Sequence, residues 1–252
     1  MMEGMAEQIC GKCGGSGWII VERDGVSGAE RCGCISEDRA RRLEEGAGLP
    51  PLYKDASLAN FRNLDNSGLM QVMNIVRGYT RDYPQLPKPG LLLLGEPGTG
   101  KTHLAVAALR MLIARGFEGL FFDYQNLLDR IRAGYDPGSG SSDREAYRTA
   151  LEAEILLLDD LGAHRVTDWV EDTVASIVTH RCNQKKALIA TTNLPDPEAG
   201  DKLFERSSSG TGKVEYRVSL VERIGVRARS RLFEMCKVVP MPPVGDYRLR
   251  MT

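Results

Sequence analysis

Gly95-Glu96-Pro97-Gly98-Thr99-Gly100-Lys101-Thr102 fits the pattern G-x-x-x-x-G-K-[ST], and its reading decides the fold. Just before it, Leu91 to Leu94 form a short apolar run of the kind that makes a buried strand. Just after it, Leu104, Ala105, Ala108, Leu109 and Leu112 recur at helical spacing, and Gly116 marks a stop. Strand, glycine loop and helix are the setting in which such a loop cradles phosphate. Its glycines let backbone N–H groups turn inward with no Cβ in the way. The helix that follows points its positive end at the same anion. In this reading Gly95 through Thr102, with His103 in the first helical turn, form the nucleotide contact. Lys101 reaches the β- and γ-phosphates, and the Thr102 hydroxyl ligates Mg²⁺.

A second strong element lies some sixty residues on: Ile155-Leu156-Leu157-Leu158-Asp159-Asp160. Four apolar residues ending in carboxylates are what a buried parallel strand needs to present acids at its C-terminal edge. Asp159 would hold Mg²⁺ through water beside Thr102, and Asp160 would orient or deprotonate the attacking water. Ala187-Leu-Ile-Ala-Thr191-Thr192-Asn193 reads as a third buried strand, with a helix over residues 167–181 as the crossover between the two. An Asn at a strand end is by itself a turn former; placed after the paired acids, Asn193 fits a contact to the attacking water or the γ-phosphate. Gly119–Asp123 adds a strand, and 126–133 and 143–154 add helices, with a Gly/Ser-rich loop at 134–142 between them. The class is α/β with a parallel sheet.

The remaining composition narrows the setting. Charge is balanced at −1, so the average field predicts no polyanion partner. Residues 202–252 are the exception, with eleven Lys/Arg against five Asp/Glu. No run of eighteen apolar residues predicts a membrane span. No basic segment followed by an apolar core predicts a signal peptide, so the cytoplasm is the expected location. There the six cysteines are not expected to form structural disulfides.

Four of those cysteines cluster near the start of the chain. Cys10-Gly-Lys-Cys13 is a C-x2-C knuckle, and Cys32-Gly-Cys34 closes the set with a less common C-x-C. Four thiolates suit structural Zn²⁺ and leave no open position for catalysis. A redox pair would need a βαβ setting that the neighbouring residues do not supply. Trp18-Ile19-Ile20-Val21 and the turn at Asp24-Gly25 suggest a hairpin between the two pairs. A segment this short buries little surface, so metal would supply most of its folding energy. Cys182 and Cys236 are read as ordinary core or surface thiols. Residues 36–45 are charged and helix-prone, and the glycines and prolines of 46–51 read as a break. Tyr53, Leu58 and Phe61 either clamp a nucleotide base or cover the domain edge. A helix over Leu69–Tyr79 and the prolines Pro84, Pro87 and Pro89 lead into the glycine loop. The resulting division is a zinc-binding module at 1–45, a linker and leading helix at 46–88, and an ATPase domain at 89–252.

The glycine loop, Ile155–Gly162 with its paired acids, Thr191-Thr192-Asn193, Ser230-Arg231-Leu232 and Asp246-Tyr247-Arg248 together resemble AAA+ ATPases of the DnaC/DnaI/IstB group. These are replicative helicase loaders and the ATPase helpers of transposases. The resemblance covers roughly residues 50–252, and the cysteine segment looks like that of zinc-containing loaders. It implies a three-layer αβα core with a reduced C-terminal lid. It implies that Asp159 and Asp160 are Walker B acids and Asn193 is sensor 1. Arg231 falls where the group carries an arginine finger acting on ATP bound to a neighbouring subunit, and Arg248 falls at sensor 2. A guanidinium suits both roles, being permanently charged and able to grip phosphate with two bonds; a surface or DNA-facing Arg231 is the other reading, because Arg223, Arg227 and Arg229 crowd it. Pro240-Met-Pro-Pro243 stands just before Gly245–Arg248 and bears on where Arg248 lies. Residues 125–154 match an insertion that helps contact single-stranded DNA, with Arg130, Arg132, Arg144, Arg148, Tyr135 and Tyr147 as candidates; solvated helix faces explain them equally well. The expected partners are a replicative helicase or a transposase, single-stranded DNA and further copies of this chain. A binding module that uses ATP as a switch with negligible turnover is the alternative from another class.

Overall fold

In the computed structural model, residues 10–23, 25–62, 66–134, 142–200, 204–206 and 214–247 are described. The chain opens with an antiparallel hairpin, β1 (Trp18–Arg23) and β2 (Val26–Arg31), and then helix α1 (Gly33–Gly46). Helix α2 (Ser67–Asp82) follows, capped by the Asn66 side chain accepting from the Leu69 N–H at 3.0 Å. The main domain then alternates: β3 (Gly90–Leu94), α3 (Lys101–Ala114), β4 (Gly119–Asp123), α4 (Tyr124–Ala133), α5 (Ser142–Glu152), β5 (Ile155–Asp159), α6 (Asp168–Asn183) and β6 (Ala187–Thr192). A short pair, β7 (Phe204–Arg206) and β8 (Val214–Tyr216), precedes α7 (Leu220–Met235) and β9 (Cys236–Pro240).

Five strands form one parallel sheet in the order β4-β5-β6-β3-β9. Every residue of β3 and β6 is buried, which explains why their sequences read as unbroken apolar runs: a sheet covered on both faces has no solvent side to alternate toward. Successive residues still point to opposite faces. Leu91 and Leu93 join the core formed with α2 and α3, whereas Leu92 and Leu94 join the core formed with α4 to α7. The fold is thus the three-layer αβα arrangement expected from the sequence. Among the described residues only β9 and the segment 241–247 follow α7, so no helical lid is seen there.

The sequence reading missed β9, the fifth strand. It pairs with β3 from Gly90↔Cys236 to Leu94↔Pro240, and the Met241 N–H extends the ladder to the Leu94 carbonyl at 2.7 Å. The break at 46–51 is built into the main domain. Ala47 is buried, its carbonyl accepts from the Phe121 N–H at 2.7 Å, and Glu44 at the end of α1 pairs with Arg110 of α3. No helix among the described residues is long and apolar enough to cross a membrane.

Candidate functional site

The C-terminal ends of β3, β5 and β6 open on a cleft of about 620 Å³, lined by the glycine loop and by Asp123, Asp159, Asp160, Thr191 and Asn193. Residues far apart in sequence meet there because neighbouring parallel strands end at one edge of the sheet, where ligands of open α/β sheets bind.

Two glycines of the loop are required by its shape. Gly98 has φ +72°, and a Cβ there would lie 2.0 Å from the Asp246 carboxylate. Gly100, the N-cap of α3, has φ +91°, and a Cβ would strike the Phe61 ring at 2.5 Å. These are left-handed conformations that glycine adopts at no steric cost. Lys101 is buried and its Nζ donates to the carbonyls of Gly95 (2.8 Å) and Glu96 (2.7 Å), inside the turn of its own loop. His103 is fixed from behind by the Ser57 carbonyl at 2.9 Å and lies against Phe61, ring centroids 5.4 Å apart. Phe61 thus covers the loop, and Leu52 and Tyr53 line the cleft.

A connected run of hydrogen bonds crosses the strand ends. The Thr102 hydroxyl donates to Asp159 at 2.9 Å, and the Thr191 hydroxyl donates to the same carboxylate oxygen at 2.6 Å. The Asp160 N–H donates to the Thr191 hydroxyl at 2.9 Å, and the Asn193 amide donates to the Asp160 carboxylate at 2.5 Å. Burial pushes the Asp159 carboxyl above the ordinary carboxylate range; the two threonine hydroxyls pull it down, and the charges of Asp160 and Asp123 push it up. A carboxylate in that position favours a bound cation, and the hydroxyl beside it is the second oxygen such a cation would use. Asp160 itself sits at φ +58°, a conformation rare outside glycine and tolerated best by Asp and Asn. Sequence reasoning named Asp159, Asp160 and Asn193 and gave Thr191 no role. The sequence does not carry that register: only in the folded sheet does the Leu157↔Ile189 and Leu158↔Ala190 pairing carry Thr191 level with Asp159.

Arg231 is not among the cleft-lining residues. It lies on the exposed side of α7, paired with Glu234 at 2.6 Å, in a groove between α6 and α7 with Arg227 and Ser176. That placement keeps it away from its own cleft. Arg248 lies outside the described residues; Tyr247, next to it, lines the cleft and its N–H donates to the Gly98 carbonyl at 3.1 Å. In the insertion, the Arg130 guanidinium lies 5.6 Å from the Phe122 ring and that of Arg132 lies 4.7 Å from the Trp169 ring. Tyr147 bonds Ser176 at 2.7 Å and is held on the helix surface. Tyr135 lies outside the described residues, as does the Arg144 side chain.

The four clustered cysteines meet. Their sulfurs all lie within 4.8 Å of one another, with Cys10–Cys32 at 3.8 Å and Cys13–Cys34 at 3.5 Å. Tetrahedral Zn²⁺ with Zn–S bonds of about 2.3 Å sets its sulfurs about 3.8 Å apart, so the set fits that metal. Backbone N–H groups of Cys13 and Lys12 lower the Cys10 thiol to about 7, whereas hydrogen bonding to Cys13 raises Cys34.

A parallel sheet in this order, with a phosphate-type loop after one strand and paired acids at the end of another, defines an ATP-binding protein of the AAA+ class. The chain belongs to the family of IstB-like ATP binding proteins, whose family model matches residues 59–206. It is similar to the phage-like element PBSX protein XkdC of Bacillus subtilis (strain 168), 23% identical over 216 residues, covering 79% of each chain. It is also similar to the replicative helicase loader DnaC of Escherichia coli (strain K12), 25% identical over 173 residues, 68% of this chain and 69% of that one. Among solved structures, that of a DnaC helicase loader matches with TM-score 0.62 and 30% identity, covering 77% of this chain and all of that one.

Proposed function

We propose that this protein is an ATPase that places a replicative helicase on DNA. The observation that carries the enzymatic part is the hydrogen-bonded run Thr102–Asp159–Thr191–Asp160–Asn193 at the mouth of the cleft. It ties the Asp159 carboxylate to the backbone N–H of Asp160 through the Thr191 hydroxyl, while the Asn193 amide holds the Asp160 carboxylate, so both acids are oriented at the same strand ends. In this reading the backbone of Gly95 to Thr99 and the start of α3 hold the triphosphate, and Lys101 turns from its loop carbonyls to the β- and γ-phosphates. Thr102 and Asp159 hold Mg²⁺, which neutralises phosphate charge when bound. Asp160 positions the attacking water and Asn193 fixes the angle of that carboxylate. Arg231 completes the site of a neighbouring copy and Arg248 grips phosphate in its own.

Turnover is slow in this reading and rises when DNA or the partner binds. The partner is grasped by residues 1–45 with Zn²⁺ in the Cys10, Cys13, Cys32 and Cys34 set; 46–88 link that module to the ATPase domain at 89–252. The cysteine module favours a loader over a transposition helper: it lies outside the stretch matched by the IstB-like family, and the similar proteins include several named as helicase loaders. The test is phosphate release by the full chain with and without single-stranded DNA and a replicative helicase. Asp160→Asn should cut turnover about 100-fold or more, the range for loss of a positioned base, and leave ATP binding intact. Wild-type turnover no higher than that of the variant would make ATP a switch ligand only, and capture of a transposase but no helicase would favour the helper.

A further inference from the structure

We infer that the buried pair Asp196–Arg229 is a positioning device that sets the direction in which Arg231 faces. It rests on the reading of Arg231 as a residue completing a neighbour's site.

Asp196 is 1% exposed and stands three residues after Asn193. Arg229 grips it with two bonds, Nε to Oδ2 at 2.8 Å and Nη2 to Oδ1 at 2.7 Å. The Phe233 ring, 4.0 Å from the guanidinium carbon, fixes the plane of that fork. Fork and stack together define both position and angle, which a point charge cannot do. The loop from Asn193 to Asp196 is short and contains Pro195, whose carbonyl accepts from the Leu220 N–H at 2.9 Å. The candidate sensor and the pair are therefore joined by a stiff connection.

Helix α7 needs such a device. It is broken at Gly225, whose φ of 78° and ψ of 158° are non-helical, so the half carrying Arg227, Arg229 and Arg231 does not inherit its orientation from the half that begins at the Ser219 cap. Ala228 and Leu232 are fully buried and hold the second half against the core, but apolar contacts tolerate small rotations that a bidentate pair does not. Arg229 and Arg231 are two positions apart, about 200° around a helix of 3.6 residues per turn. One is drawn inward to Asp196 and the other is directed outward. Turning the first turns the second.

The test is steady-state ATP turnover at concentrations that promote self-association, beside affinity for a fluorescent ATP analogue. The variants are R231A, R229M, R229K, R229M/R231A and D196N/R229M. Removing both charges together in D196N/R229M avoids leaving one buried ion unpaired, so it reports if R229M alone fails to fold. The expected result is a roughly tenfold lower kcat for R229M and for D196N/R229M, with KM and analogue affinity within twofold of wild type. R229K should recover part of the loss, and R229M/R231A should be no slower than R231A. A merely structural role would move affinity along with kcat. Wild-type kcat in D196N/R229M while R231A is slow, or losses that multiply in R229M/R231A, overturn the pairing alone. Wild-type kcat in R231A overturns the reading of Arg231 and this inference with it.

Discussion

The nucleotide cleft and the cysteine cluster both gather side chains from distant positions, but they do so by opposite means. In the cleft the gathering is done by the sheet. The strands beneath it are buried, with Leu91 to Leu94 and Leu188 to Ala190 fully so, and the functional residues sit at the C-terminal ends of those strands or just past them. At the cysteines the reverse holds. Every residue of β2 is exposed, Ile20 is 84% exposed and Val26 71%, and α1 has no buried residue. The cleft rests on its fold, whereas the exposure of the hairpin predicts that the other region's fold rests on its cysteine site.

Removing metal tests that contrast most severely. Structural Zn²⁺ contributes on the order of 10 kcal/mol or more to small modules of this kind, more than the hairpin's exposed side chains can replace. Chelation, or Cys13→Ser, should abolish amide protection across 18–31 while the sheet residues 90–94 and 187–192 keep theirs. Hydrogen exchange with mass spectrometry reads both regions in one experiment. A hairpin that stays protected without metal would break the comparison. Protons compete for the same sulfurs, so zinc affinity should fall throughout the descent from pH 8 to pH 6, and more steeply once Cys10, held at about 7 by backbone N–H groups, is protonated too; titration with a chromophoric chelator at pH 8, 7 and 6 would show it.

The next largest effect lies inside the cleft. Thr191→Val keeps the shape but removes a donor to the Asp159 carboxylate and the acceptor for the Asp160 N–H. Leaving buried polar groups unsatisfied costs about 1–3 kcal/mol, and kcat should fall about tenfold or more while ATP affinity holds. The sign of the pH effect follows. Thr191 lowers the Asp159 carboxyl against the burial that raises it, so removing the hydroxyl raises it further. The acid limb of the turnover profile should therefore move to higher pH, and more Mg²⁺ should restore activity by competing with the proton. An unchanged limb would mean that Asp159 is not the ionising group.

How much of this was legible in the sequence follows the same contrast. Where burial dictates composition, as in Leu91–Leu94 and Ile155–Leu158, strands and their polar ends could be read directly. Strand β9 could not, because Cys236-Lys237-Val238-Val239-Pro240 sits at a sheet edge and mixes exposed with buried positions. The fold of α7 at Gly225 and the fork of Arg229 on Asp196 depend on three-dimensional neighbours that no local pattern announces. Arg181 is the plainest case. It looks like an ordinary basic residue ending a helix, yet it is fully buried and donates to the carbonyls of Ala150 and Ala153 at 2.9 Å and to that of Ala187. Its burial lowers the guanidinium to about 10, and it satisfies backbone carbonyls at the end of α5 and the start of β6. The meeting of the four cysteines was legible for another reason: it follows from residue type and short spacing, and not from the core.

The smallest effect concerns the joint between the two regions. Glu44 of α1 meets Arg110 of α3 at 2.5 Å, and Arg110 also donates to the Ala56 carbonyl at 2.8 Å. The carboxylate is partly exposed, so Glu44→Ala should cost at most about 1 kcal/mol, and Arg110→Ala should cost more because it also leaves a carbonyl without its donor. The Ala47 carbonyl on the Phe121 N–H remains in either variant, so the end of α1 should stay in place. A double-mutant cycle read by chemical denaturation should give a coupling of about 0.2–1 kcal/mol, with zinc and ATP affinities unchanged. If Glu44→Ala instead shifts ATP affinity, then the cysteine region and the nucleotide cleft communicate through this pair, and anything bound at the cysteines would have a direct route to the nucleotide.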